Sequence, residues 1–151
     1  MVRAIVVLLS IAVTAGCGPA QYEDVSNLPT YSALVGNKYR TLRHLQVLGI
    51  TTDRDYEPVV DYYLIMGTPS IAGPEVAERR ALPAGSLVEV VNAMLCTNCV
   101  LPALRLEARI GSGEGFGGKP VFVDDRGDLL GESADGRSIV LNSDVFELYS
   151  K

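Results

Sequence analysis

Cys96 and Cys99 bracket a Thr-Asn pair and are the residues best placed for covalent chemistry in this chain. The ends of a four-residue turn lie within about 7 Å of each other, so this spacing permits a disulfide. A redox-active pair would instead set its first cysteine at a helix N-terminus, where the thiolate is stabilised. Val100-Leu101-Pro102 offers no such helix. Structural zinc needs four ligands, and His44, the only histidine, is far away in sequence. Met94 could add a soft copper(I) ligand, which is a poorer match than a cross-link. The expectation is a structural disulfide, with thiol redox or metal binding at Cys96 and Cys99 as the rival.

A second motif, Gly113-Glu114-Gly115-Phe116-Gly117-Gly118, matches G-x-G-x-x-G in letters. The dinucleotide fingerprint needs a helix N-terminus after the glycines to receive the pyrophosphate. Here Lys119-Pro120-Val121-Phe122-Val123 follows, which reads as a strand. The stretch 111–118 is therefore expected to be a hairpin loop. Gly113, Glu114, Gly115 and Phe116 form its candidate binding surface, with the aromatic ring offered outside the core. His44 has no serine elbow or paired acid to make a triad. Asp124, Asp125 and Asp128 lack the ligand spacing of a calcium loop. No catalytic residue, metal ligand or cofactor is expected.

The elements that hold these residues are short and extended. In 103–110, Leu104, Leu106, Ala108 and Ile110 alternate with Arg105, Glu107 and Arg109, a half-buried strand of period two. Residues 59–66 are β-branched and aromatic and 87–95 are rich in valine, as strands prefer. Brief runs at 120–124 and 138–142 lie among Gly127, Gly131 and Gly136. The tail 144–149 suits a strand or a helical turn. Segment 38–48 fits a strand or a helix, because Leu42, Leu45 and Leu48 share a helical face. Six or so such strands with no long helix between them predict a mainly β domain. The expected form is a small antiparallel barrel or sandwich, SH3-like or OB-like, over residues 37–151.

The chain has 151 residues, with 13 Lys and Arg against 18 Asp and Glu, a net charge of −5. Removing residues 1–16 takes away only Arg3 and moves that charge to −6. An acidic body without a basic cluster argues against nucleic acid as a partner.

Residues 1–16 join a short positive start to an apolar run and small residues, the build of a secretory signal. Thr14-Ala15-Gly16-Cys17 resembles the lipobox of bacterial lipoproteins, with Thr14 standing where leucine is usual. The resemblance implies cleavage before Cys17, a diacylglyceryl group on its thiol and acylation, palmitate-type, of its amine. It also implies an oxidising compartment, where Cys96 and Cys99 are left as an even pair. Gly18 after the anchor, not aspartate, points to the outer membrane, with the domain facing the periplasm. Residues 17–36 then form the lipidated N-terminus and a tether, or an irregular arm lying on the domain. A flexible tether of that length would span roughly 20–25 Å. The functional expectation is a membrane-anchored, non-catalytic module that binds an envelope protein. A periplasmic inhibitor or immunity protein against an envelope-directed enzyme is the alternative.

Overall fold

The computed structural model describes residues 19–53, 55–67, 73–101, 103–111, 116–124 and 128–150. The signal segment and Cys17 lie outside the described residues. What is described is mainly β, with one four-residue helix.

The first elements are β1 (Tyr22–Asp24), α1 (Pro29–Ser32), β2 (Lys38–Thr41), β3 (Leu45–Ile50) and β4 (Tyr62–Met66). They are followed by β5 (Val76–Leu82), β6 (Leu87–Cys96), β7 (Leu104–Ile110) and β8 (Val121–Asp124). The chain ends with β9 (Leu130–Glu132), β10 (Ile139–Leu141) and β11 (Phe146–Leu148). A nine-stranded sheet runs β11-β2-β6-β7-β8-β4-β3-β5, with β1 also paired to β6, and β9 and β10 form a separate hairpin. The sheets are not closed into a barrel. Segment 38–48 is two strands rather than a helix, broken at Leu42–His44.

The strand pairs are antiparallel except one: β4 and β8 run parallel, Leu64 facing Phe122. That single parallel seam joins an antiparallel group of β3, β4 and β5 to the rest. The intervening β5, β6 and β7 supply the long connection that a parallel pair requires.

Residues 22–36 are an arm built into the sheet. Two partners share one edge of β6: β2 at Leu87–Glu89 and β1 at Met94–Cys96. Between them the arm satisfies the strand's polar groups. Val90 donates to the Asn37 carbonyl and accepts from Gly36, while Ala93 accepts from Val25 and donates to Ser26 Oγ. Val25 and Leu34 are buried in the same core as β6. Leaving a buried strand edge unpaired would cost its backbone groups their hydrogen bonds, and the arm prevents that.

The alternation expected in β7 is present. Leu104, Leu106 and Ala108 are buried while Arg105, Glu107 and Arg109 point outward. A bulge between Val90 and Asn92 shifts the register of β6, so Val88, Val90 and then Ala93 face inward. They meet Val47, Ile65, Leu106 and Val123 in one core, all with no exposed surface.

Candidate functional site

At the end of β6, Cys96 and Cys99 stand at disulfide-bonding distance, with a Cα separation of 5.7 Å, across the turn that leads to β7. Asn98 inside that turn accepts from Gln21 N at 2.7 Å and donates through Nδ2 to the Pro19 carbonyl at 2.9 Å. Thr97 N adds a bond to the Gln21 carbonyl at 2.8 Å. The cross-linked turn therefore grips the start of the arm.

Of the glycine loop, Gly113, Glu114 and Gly115 lie outside the described residues. Phe116, expected at an exposed tip, is instead half-buried and packed against the core. Its ring meets Tyr63 edge-on, with centroids 4.9 Å apart. The cause lies in the next two residues. Gly117 and Gly118 both have positive φ, at 58° and 72°, and Lys119 N closes the turn on the Phe116 carbonyl. This left-handed turn, open to glycine at no steric cost, brings the ring inward before β8 begins. A crevice of about 280 Å³ beside it is lined by Val91, Glu107, Arg109, Phe116 and Lys119.

Beneath Phe116 lies a polar cluster that sequence reading missed. Tyr63 is 4% exposed, and its hydroxyl donates to Glu78 Oε2 at 2.9 Å. Arg80 donates to both oxygens of the same carboxylate, Nε to Oε1 at 2.7 Å and Nη2 to Oε2 at 3.1 Å. Its guanidinium also lies over the Tyr63 and Phe116 rings. The bonds from Arg80, then that from Tyr63, hold the Glu78 carboxyl below the usual carboxylate range. Burial, followed by the bond to Glu78, pushes the Tyr63 phenol up. A carboxylate held ionised is a weak base, and a phenol held neutral is a weak nucleophile. The geometry suits a polar tie between β4 and β5 rather than proton transfer.

The outward face of the sheet carries a different arrangement. Arg105 on β7 lies 4.7 Å from the ring centroid of Tyr22, 5.3 Å from Tyr62 and 5.8 Å from Phe122. Tyr62 and Phe122 meet edge-to-face at 5.8 Å. Met94 stands opposite Arg105 on β6, and Leu64 stands opposite Phe122 on β4. These side chains face outward because their neighbours Leu104, Leu106, Tyr63, Val121 and Val123 take the core. All six are half-buried, and from β1 to β4 they cross four strand spacings, about 19 Å. Aromatic residues, methionine and arginine are the types enriched in the cores of protein interfaces. The signal was present in the sequence. Residues 62–66, Tyr-Tyr-Leu-Ile-Met, are apolar at every position, whereas a strand with one wet face alternates.

The remaining candidates are dispersed. His44 is exposed and borders a crevice of about 370 Å³ with Gln46, Arg79 and Arg80. Asp128 pairs with Arg43, and Asp125 lies outside the described residues. Among the described residues no three His, Cys, Asp or Glu side chains gather as a metal site. No family model matches the chain, and neither a curated protein nor a solved structure matches it.

Proposed function

We propose that this chain is a lipoprotein of the bacterial envelope, anchored through acylated Cys17, whose domain binds a protein partner through the face around Arg105. The anchoring rests on the lipobox-like Thr14-Ala15-Gly16-Cys17, and Gly18 favours the outer membrane with the domain in the periplasm. The binding reading rests on one observation: three aromatic rings gathered about an outward arginine on a sheet face that needs none of them for its core. Rigid aromatic side chains bury much area at little entropic cost, and arginine bridges them to a partner's acids or rings. An SH3-like or OB-like curvature belongs to the same proposal, supported by one long sheet that covers most of the core, with β5 and β11 at the ends of its described strand order.

A photo-crosslinking residue at position 62 in intact cells is expected to capture a discrete partner, and the same residue at position 148 to capture none. Arg105→Glu should abolish that capture at equal protein level. Equal or absent crosslinking at both positions refutes the binding face. Mass spectrometry of the captured species separates an assembly component from an enzyme that the domain inhibits. Anchoring has its own test: Cys17→Ser should move the protein out of the membrane fraction, and an unacylated mature N-terminus would refute it.

A further inference from the structure

The arm is pinned to the domain at Pro19, only two residues after the proposed lipid attachment at Cys17. Two peptide steps span at most about 7 Å. A lipid on Cys17 would thus be held beside Asn98, which bonds both the Pro19 carbonyl and the Gln21 amide. The adjoining hairpin tip bears the two most exposed large apolar side chains among the described residues: Val100 at 99% and Leu101 at 75%.

The two segments that meet at this tip carry no charge of their own; the nearest cation is Arg105, over the Tyr22 ring. Residues 14–22 and 96–104 contain no Asp, Glu, Lys or Arg, in a chain whose net charge is −5. The first acids, Glu23 and Asp24, face Leu95 and Met94, one and two rungs back from the tip. An acidic domain is repelled by anionic headgroups, so the end that meets a bilayer must be the uncharged one. Exposed Val and Leu on a cross-linked turn lose water-exposed surface in the interfacial region with little further ordering.

From these observations we infer that the Cys96–Cys99 hairpin tip is a second membrane contact, with Val100 and Leu101 entering the bilayer interface beside the acyl chains. The occupant is lipid. The domain would sit on the membrane in a fixed orientation instead of swinging on a 20–25 Å leash. This inference rests on acylation of Cys17.

The chain has no tryptophan, which makes a direct test clean. Leu101→Trp and, separately, Val100→Trp place a single fluorophore at the tip, where exposure leaves room for the ring. Leu148→Trp is the control, since Leu148 is 60% exposed. It pairs with Tyr39 beside Val88, eight residues along β6 from Cys96 and about 26 Å away. Each full-length variant is produced in the envelope, its N-terminal acyl mass is measured, and it is reconstituted in phosphatidylethanolamine–phosphatidylglycerol vesicles containing lipid brominated near the headgroup. The expected result is a blue-shifted, quenched emission at positions 100 and 101 and a water-like, unquenched emission at 148. Acylated protein with water-like emission at all three positions overturns the hairpin contact alone. Absence of acyl mass overturns the anchor and the inference built on it together.

Discussion

Gly49→Ala isolates the packing beneath Phe116. Gly49 lies one residue from the end of β3, between Tyr63 on β4 and Glu78 on β5. A methyl group there would fall 2.8 Å from Val60 Cγ2, 3.0 Å from Glu78 Cβ and 3.2 Å from Tyr63 Cε1. The Val60 side chain is partly buried and packed against the core. Glu78 Cβ is fixed to its strand, and the Tyr63 ring is backed by Phe116. Overpacking of this kind costs about 1–3 kcal/mol. Loss of glycine's extra freedom in the unfolded chain returns about 0.5–1 kcal/mol. The net destabilisation is about 0.5–2 kcal/mol. With an unfolding entropy near 0.27 kcal/mol/K for a domain of this size, the melting temperature should fall by about 2–7 °C. Gly131→Ala is the control, because nothing lies within 4 Å of its added methyl, so it should show only the gain of about 0.5–1 kcal/mol from the unfolded chain. Thermal melts followed by circular dichroism measure both. A Gly49→Ala protein as stable as the control would refute the described contact of β3 with Tyr63 and Glu78.

Thr41→Val should lower stability by about 1–3 kcal/mol in urea titrations. Thr41 is 1% exposed, and its hydroxyl donates to the Pro83 carbonyl and accepts from Ser86 N, so valine removes two hydrogen bonds, while Ser86 keeps its own bonds to the Pro83 carbonyl; an unchanged midpoint contradicts this. Cys96→Ser with Cys99→Ser should fold with stability lowered by about 2 kcal/mol, the loop-closure value for so short a ring. Two alkylatable thiols in unreduced wild type would rule the cross-link out. Stability should be flat between about pH 5 and 9 as far as the shifted groups decide it, and should fall on both sides. Asp24, Asp61, Glu78 and Asp135 are held low by hydrogen bonds; their contribution is complete above the unfolded value near 4 and is lost as pH falls through the folded ones. Tyr39 and Tyr63 are raised, burial being the main cause; their contribution is complete below about 10 and is lost as pH rises through the folded values. A urea midpoint that climbs from pH 5 to 3 would contradict the acid limb.

What was legible in the sequence depended on how local the cause is. The alternation of 104–110 states its own buried face, and β7 adopts it. The turn that joins Cys96 to Cys99 is equally local. The polar cluster needed the pairing of β4 and β5 with β3, which places Tyr63 and Glu78 on either side of Gly49 although they are fifteen residues apart. No period within either strand encodes that neighbourhood. Phe116 was misplaced because its direction is set by two positive-φ glycines after it rather than by its own hydrophobicity. The arm was legible only as the alternative to a tether, for a related reason. Val25 and Leu34 are isolated apolar residues among prolines and glycines, and only the gap on β6 between β1 and β2 gives them a core to enter.

The arm also couples the proposed anchor to the proposed binding face. Tyr22 is the first strand residue after the pinned segment, and its ring lies against Arg105. Arg105 in turn faces Met94, two residues or about 7 Å along β6 from Cys96. A bilayer at the hairpin tip would place the aromatic face just above the headgroups, with its normal roughly parallel to the membrane. A partner reaching that face must approach along the surface, so a protein itself embedded in or anchored to the same membrane fits better than one diffusing freely. Confinement to the surface raises the effective concentration of the two sites. On this proposal a modest aromatic patch would suffice where a free periplasmic domain would need a larger one.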